Sequence, residues 1–315
     1  MTSAAEKSFS ISGELQPDKR PLKDERASST ALLIAASMVV IDGHQDYAGA
    51  RPGTSGDFCS QVLQAHSVLT RLFLRLAHRR WFFRVVRFLE QSTIPGILRH
   101  YALRKKWIAS FAREALHDGI TQVVVLGAGL DPLALTLHRE FPDARFWEID
   151  HPATQRLKTK AMGHVDAERF QFAAVNLVSG QVDLAMLNQS GFDPARGTLW
   201  IAEGLFMYFP EAVVVNLLNS AAGLSAKGSR LAFTFMEPRR DGRVRFRNQR
   251  RLVDWWLSWR GEPFVWGLER SRISQLAAPW QVERVVDEND LRALDSSLGS
   301  FRLAAGELIC QAELR

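Results

Sequence analysis

The stretch that most constrains this chain is Val123-Val124-Val125-Leu126 followed at once by Gly127-Ala128-Gly129. Four apolar residues, three of them β-branched, are too few for a typical helix and fit a strand buried on both faces of a parallel sheet. The glycines then let the backbone turn and approach a ligand closely. From Leu130 to Glu140 apolar residues recur at helical spacing. Strand, glycine turn and helix open a nucleotide-binding βαβ unit, whose helix N-terminus favours polar or anionic groups. A second strand is predicted over Ala144–Ile149. Glu148 and Asp150 mark its end, about twenty residues beyond the glycines, where a carboxylate can accept hydrogen bonds from both hydroxyls of a ribose.

The rest of the chain arranges itself around this unit. Residues 1–27 are polar with few aromatics and are expected to form a mobile tail. Residues 28–118 read as a helical cap. Ser28-Ser29-Thr30 can start a helix to about Ile41, and Gly43–Gly56 is a loop. One helical face is predicted through Phe58, Val62, Ala65, Leu69, Leu72 and Leu76, and a further helix over Trp81–Glu90. A long amphipathic helix, Ile97–Leu116, carries Tyr101, Arg104, Lys105 and Trp107. From 119 to 315, strands are expected at Phe170–Val175, Gly197–Ala202, Ser229–Phe235, Trp280–Val286 and Phe301–Leu314, with helices between them, including a short one over Gln181–Asn188. The fold class is α/β, a doubly wound, Rossmann-like, mostly parallel sheet of seven strands with an N-terminal helical extension. An insertion at about 237–279, rich in arginine and then in tryptophan (Trp255, Trp256, Trp259), interrupts the rhythm. It could form a lid over an acidic aromatic acceptor, although tryptophans at helical spacing more often pack.

Composition sets limits on partners. The formal charge is +6 over 315 residues, modest enough that a solvated basic face explains it better than nucleic acid. Two cysteines, Cys59 and Cys310, support neither a disulfide framework nor a metal site. No apolar run approaches the roughly 20 residues of a membrane span, and the N-terminus lacks the order of a signal peptide. The expectation is a cytoplasmic protein acting on a small molecule, without membrane or nucleic-acid partners and of undetermined oligomeric state.

The glycine turn departs from the dinucleotide fingerprint at two places, with Asp131 fifth and Pro132 sixth. Proline removes an amide that a pyrophosphate would use, and an acidic side chain repels phosphate. Both favour a ligand with an amine or sulfonium, and S-adenosylmethionine fits better than NAD.

The segments V-V-V-L-G-A-G-L-D-P, F-W-E-I-D-H-P-A-T-Q-R-L-K and A-E-G-L-F-M-Y, with Tyr101-x-x-Arg104 upstream, together resemble the leucine carboxyl methyltransferase family, and within it the polyketide-type bacterial O-methyltransferases. The resemblance covers roughly 28–312. It implies a class I S-adenosylmethionine-dependent methyltransferase in which Arg104 holds the methionine carboxylate and Gly127 and Gly129 line the amino-acid end. It further implies that Asp150, with Glu148 as the other candidate, takes the ribose, that Asn176 and Leu177 border the adenine, that Glu203 lies near the cofactor, and that Tyr208 stands near the point of transfer. Thr30 occupies a place where leucine carboxyl enzymes have a lysine, which points away from a protein tail as acceptor.

Plainer readings stand beside these. Arg104 also fits a surface arginine, Tyr208 a core residue, and His151 a helix cap. A carboxylate acceptor needs no general base, whereas a phenol or alcohol would, and no histidine near the motifs fills that role. The expected activity is therefore O-methylation of a carboxylate or acidic hydroxyl. The competing classes are an NAD-linked oxidoreductase and a non-catalytic binding protein that keeps the fold.

Overall fold

The computed structural model describes residues 27–51, 53, 55–163, 165–179, 182, 187, 191–295 and 301–315. Among the described residues, five α-helices precede the first strand: α1 (Ser29–Gly43), α2 (Ser55–His66), α3 (Val68–Ala77), α4 (Arg80–Thr93) and α5 (Ile97–His117). The strands are β1 (Gln122–Leu126), β2 (Arg145–Asp150), β3 (Phe170–Ala174), β4 (Thr198–Ala202), β5 (Arg230–Met236), β6 (Gln281–Val286) and β7 (Glu307–Glu313). They form one sheet in the order β3-β2-β1-β4-β5-β7-β6, parallel except for β7, which runs antiparallel between β5 and β6. Three further helices are needed below: α6 (Leu133–Glu140), α7 (Pro152–Met162) and α8 (Arg251–Arg260).

The apolar run that reads as a doubly buried strand is one. Val123 and Val125 enter the core on one face of the sheet, while Val124 and Leu126 enter the core on the other. β4 repeats the alternation, with Leu199 and Ile201 on the first side and Trp200 and Ala202 on the second. Each such side chain contributes about 1.5–3 kcal/mol by leaving water. That is why the interiors of β1 and β4 are wholly apolar. Since β1 leads back to β2 on one side and on to β4 on the other, the order reverses between β1 and β4. In open α/β sheets the ligand crevice lies at the carboxyl ends of strands at such a reversal.

One expectation is corrected by the N-terminal layer. The continuous face predicted from Phe58 to Leu76 is broken at Ser67. Its hydroxyl accepts from the Thr70 amide at 3.2 Å while its own amide donates to the Thr70 hydroxyl at 3.0 Å. This capping box starts a new helix, and Leu69 and Leu72 turn outward, exposed, while Phe58 and Val62 stay buried. Trp255 and Trp259 likewise do not pack into the core; they are exposed and stack on each other at 6.3 Å. The last strand begins at Glu307, not Phe301, and the helix predicted over Gln181–Asn188 falls largely outside the described residues.

Candidate functional site

The turn after β1 is built on two glycines with positive φ, +63° at Gly127 and +55° at Gly129. A Cβ on Gly127 would stand 2.6 Å from Leu205 Cδ1, so close packing as well as φ demands glycine there. The turn faces a cavity at the carboxyl ends of β1, β2 and β4, roofed by α1 through Thr30 and Ala31. Arg104, Glu148, Asp150, Glu203 and Tyr208 also line it. Seven of the residues singled out from sequence thus converge on one space: these five and the two glycines.

Asp150 stands at the end of β2. Its Oδ2 accepts from the Gly129 amide at 2.5 Å and its Oδ1 from the His151 amide at 2.6 Å. Burial pushes its pKa up, against the pull of those amides. Glu148, two residues back on the same face, lies deeper. Lys158 of α7 donates to its Oε1 at 2.7 Å, and burial still raises it to about 7. His151 caps α7, its Nδ1 accepting from the Ala153 amide at 3.4 Å. Asn176 and Leu177 follow β3 and do not line the cavity. Asn176 is exposed, with Oδ1 accepting from the Val178 amide at 3.1 Å, and Leu177 is buried in the second core.

Beneath the cavity lies a charge network that sequence reading missed. Arg104, buried on α5, donates from Nη1 to both oxygens of Glu307 at 2.7 Å, while its Nε and Nη2 lie 3.0 and 2.8 Å from Glu203 Oε1. His100, one turn earlier, meets Glu307 Oε2 at 2.7 Å. Lys105 bridges Glu203 Oε1, at 3.0 Å, and Asp131 Oδ2. Burial would lower Lys105, but Asp131 and Glu203 outweigh it and raise it to about 12. Asp131 is held below the usual carboxylate range, Lys105 and Lys158 overcoming its burial. Its side chain is therefore neutralised by a lysine, so it is not the isolated charge at the mouth that the sequence suggests. The roof was missed too. Glu262, just after α8, accepts from the Ser29 and Thr30 amides at 2.9 Å and from the Thr30 hydroxyl at 2.5 Å, fixing the N-terminus of α1 where a carboxylate also suits the helix dipole.

The signals for these residues exist in the sequence, but only in retrospect. Glu307 is an acid opening a mostly apolar strand, Lys158 falls inside the A-T-Q-R-L-K segment, and Lys105 adjoins Arg104. None says which charges will meet.

Three cations (Arg104, Lys105, Lys158) and five carboxylates (Asp131, Glu148, Asp150, Glu203, Glu307) gather in and directly under the cavity with His100 beside Glu307, so carboxylates outnumber basic side chains, by less at neutral pH because burial raises Glu148 to about 7. Two carboxylate oxygens there, Glu148 Oε2 and Glu203 Oε2, are buried with no hydrogen-bond partner among the described residues. Such orphans cost about 1–3 kcal/mol or more apiece; Glu148, raised to about 7, can carry its own proton, and a cationic donor in the cavity beside Glu203 would satisfy the other.

A family model described as "Leucine carboxyl methyltransferase" matches residues 59–222, just over half of the chain. The chain belongs to that family. The matched segment includes the glycine turn and every cavity residue singled out above except Thr30, Ala31 and the buried partner Glu307 beneath them. A protein of Mycobacteroides abscessus named "Putative S-adenosyl-L-methionine-dependent methyltransferase" is 37% identical over 158 residues, 48% of this chain and 48% of its own length. One of the same name from Mycobacterium tuberculosis H37Ra is 39% identical over 139 residues, 43% of this chain and 39% of its own. The chain thus spans about half the length, or less, of these relatives. Among solved structures, that of "a putative methyltransferase from Thermobifida fusca YX" superposes with a TM-score of 0.54 at 15% identity, covering 81% of this chain and 94% of that one. At that identity it shows a shared fold.

The network makes the family site sensitive to acid. Burial alone would raise Glu307, but Arg104 and His100 outweigh it and hold it at about 2. A folded pKa depressed from the ordinary 4.5 contributes stability that is present above 4.5 and lost as pH falls toward 2. The full loss is about 3 kcal/mol. Urea unfolding of the wild type is expected to show its midpoint falling across this window, and Glu307→Gln should flatten that limb.

Proposed function

We propose that this chain is an S-adenosylmethionine-dependent methyltransferase acting on oxygen, a carboxylate or acidic hydroxyl of a small molecule of polyketide or other secondary-metabolite type. The observation that carries the reading is the cavity's excess of negative charge together with its orphaned Glu203 oxygen. A ligand carrying an ammonium and a sulfonium suits such a site, whereas the pyrophosphate of NAD would meet net repulsion and, at Pro132, a missing amide.

When bound, S-adenosylmethionine would supply an electrophilic methyl carbon on sulfonium: the C–O bond to the acceptor forms in line as the C–S bond breaks, and the neutral thioether leaves. The chain's own residues bind and orient. Glu203, through its unpartnered Oε2, would hold the ammonium of the amino-acid end, and Arg104, with four of its donor directions spent on Glu203 and Glu307, keeps one Nη2 hydrogen that would serve the carboxylate. Asp150, at the strand end, takes the ribose hydroxyls. Asn176 and Leu177, which follow the neighbouring strand β3 outside the cavity lining, would border the adenine only at its outer end. Two free, buried thiols, Cys59 and Cys310, suit a reducing cytoplasm.

Tyr208 is a donor and not a base. Burial pushes its phenol far above the ordinary range, and the Thr30 hydroxyl bonded to it only partly opposes this. It therefore keeps its proton at neutral pH and can hold an acceptor oxygen in place but cannot deprotonate one. That favours acceptors already ionised. Tyr208→Phe is expected to lower kcat about tenfold, the worth of one aligned hydrogen bond, and to leave cofactor affinity unchanged in calorimetry.

The acceptor class is tested by incubating the protein with S-adenosylmethionine and a panel of small carboxylic acids, phenols and amines. Mass spectrometry should find acids or phenols gaining one CH₂. Methylation confined to amines would overturn the oxygen assignment.

A further inference from the structure

α3 and α4 form a helical hairpin whose outer face the fold leaves bare. Leu69 is 78% exposed, Phe88 70% and Trp81 56%, and Leu72, Val85 and Leu89 are exposed beside them. Large apolar side chains scattered singly are normal on a surface, but this many on two adjoining helices mark an interaction face. Burying them elsewhere is not an option for the fold, because the opposite sides of the same helices, through Phe73, Leu74, Phe83 and Val86, already pack against the core.

The charge on this hairpin says what covers it. From Ser67 to Glu90 there are six arginines (Arg71, Arg75, Arg79, Arg80, Arg84, Arg87) and one carboxylate, Glu90, so these residues carry five of the chain's six net positive charges. Arg87 is engaged with Asp46 and Glu90, each at 3.6 Å. The other five make no ion pair among the described residues and are exposed. A second copy of the chain would bring the same charge to the same face and be repelled. Arginines interleaved with Leu, Trp and Phe on an amphipathic helix instead match the requirements of an anionic lipid surface, with guanidiniums at headgroup phosphates and apolar side chains in the acyl boundary. α8 extends the pattern. Its N-cap Arg250 donates its amide to Thr93 O at the end of α4 at 3.0 Å, and it exposes Leu252, Trp255 and Trp259.

We infer that the α3–α4 hairpin is a peripheral attachment site for anionic lipid, lying on the surface and not spanning it. Among the described residues no helix is long and apolar enough to cross a membrane. This departs from the expectation of no membrane partner, which rested on the lack of a span and on a solvated reading of the basic helices. An anionic leaflet faces the cytoplasm, so attachment there is compatible with a cytoplasmic enzyme. The face is outside the cavity residues, and the inference does not rest on the methyl-transfer reading.

The test is flotation of the full chain with vesicles of phosphatidylcholine alone or with about a third phosphatidylserine, in roughly 0.1 M salt. The protein should float with the anionic vesicles and not with the neutral ones. Each arginine near such a surface is worth about fivefold in partitioning, so Arg75→Gln/Arg79→Gln/Arg80→Gln should weaken binding at least about fiftyfold. Leu69→Ser/Phe88→Ser should weaken it about tenfold. Circular dichroism identical to wild type would show that both variants fold. No flotation with anionic vesicles would overturn the proposal. So would flotation that Leu69→Ser/Phe88→Ser leaves unchanged, or a self-associated species in light scattering that the same substitutions dissolve.

Discussion

Glu307→Ala is expected to lower the unfolding free energy by about 3–5 kcal/mol, because it strands a buried cation. Glu307 fills both Nη1 directions of Arg104 and holds His100, and both are almost wholly shielded from water. With the carboxylate gone, Arg104 keeps only Glu203, and solvent cannot take the lost place. Against a typical total of 5–15 kcal/mol, the loss is enough to bring the protein near its threshold. The exposed pair Arg113–Glu140, although bonded at 2.7 Å, should by contrast cost under about 1 kcal/mol when broken, since water replaces the partner. Urea denaturation of both variants gives the comparison. Equal, small losses would show that the Arg104 network is not structural.

Asp150→Asn is expected to weaken S-adenosylmethionine binding about ten- to a hundredfold, the range for losing hydrogen bonds to a charged acceptor. Asparagine keeps the volume and one acceptor oxygen, so the Gly129 or the His151 amide retains a partner and the turn keeps its shape. Glu148→Gln separates the two candidate carboxylates. Glu148 is tied down by Lys158, so its replacement should change affinity less than about threefold. A larger loss at Glu148 than at Asp150 would assign the ribose to Glu148.

How much of this could be read in advance varied with the kind of interaction. β1 announced itself because a doubly buried strand leaves no alternative to a continuous apolar run, and β4 follows the same rule, whereas β3 and β6 at the sheet's edges are only partly buried. The turn was legible because Gly127 and Gly129 answer a backbone requirement that few residues meet. What could not be read were pairings made across the fold. His100, Arg104, Lys105, Lys158, Glu203 and Glu307 come from two helices and two strand ends, and the ion pairs that join them across the fold leave no periodic trace. Asp131 shows the cost of reading charge locally: its departure from the dinucleotide pattern is real, yet its charge is answered by Lys105, and the preference for a cation comes from the sum over eight groups. The α2–α3 break failed for a different reason. Apolar spacing continues straight through Ser67, and only the capping box with Thr70 turns the later face outward.

The central claim is that the cavity at the ends of β1, β2 and β4 is a site for S-adenosylmethionine. Isothermal titration of the folded chain tests it most directly. Saturable binding of one S-adenosylmethionine per chain is expected, weakened in Asp150→Asn and unchanged in Tyr208→Phe, with no heat from NADH. Absence of S-adenosylmethionine binding by protein of native circular dichroism, or binding of NADH that Asp150→Asn removes, would contradict it.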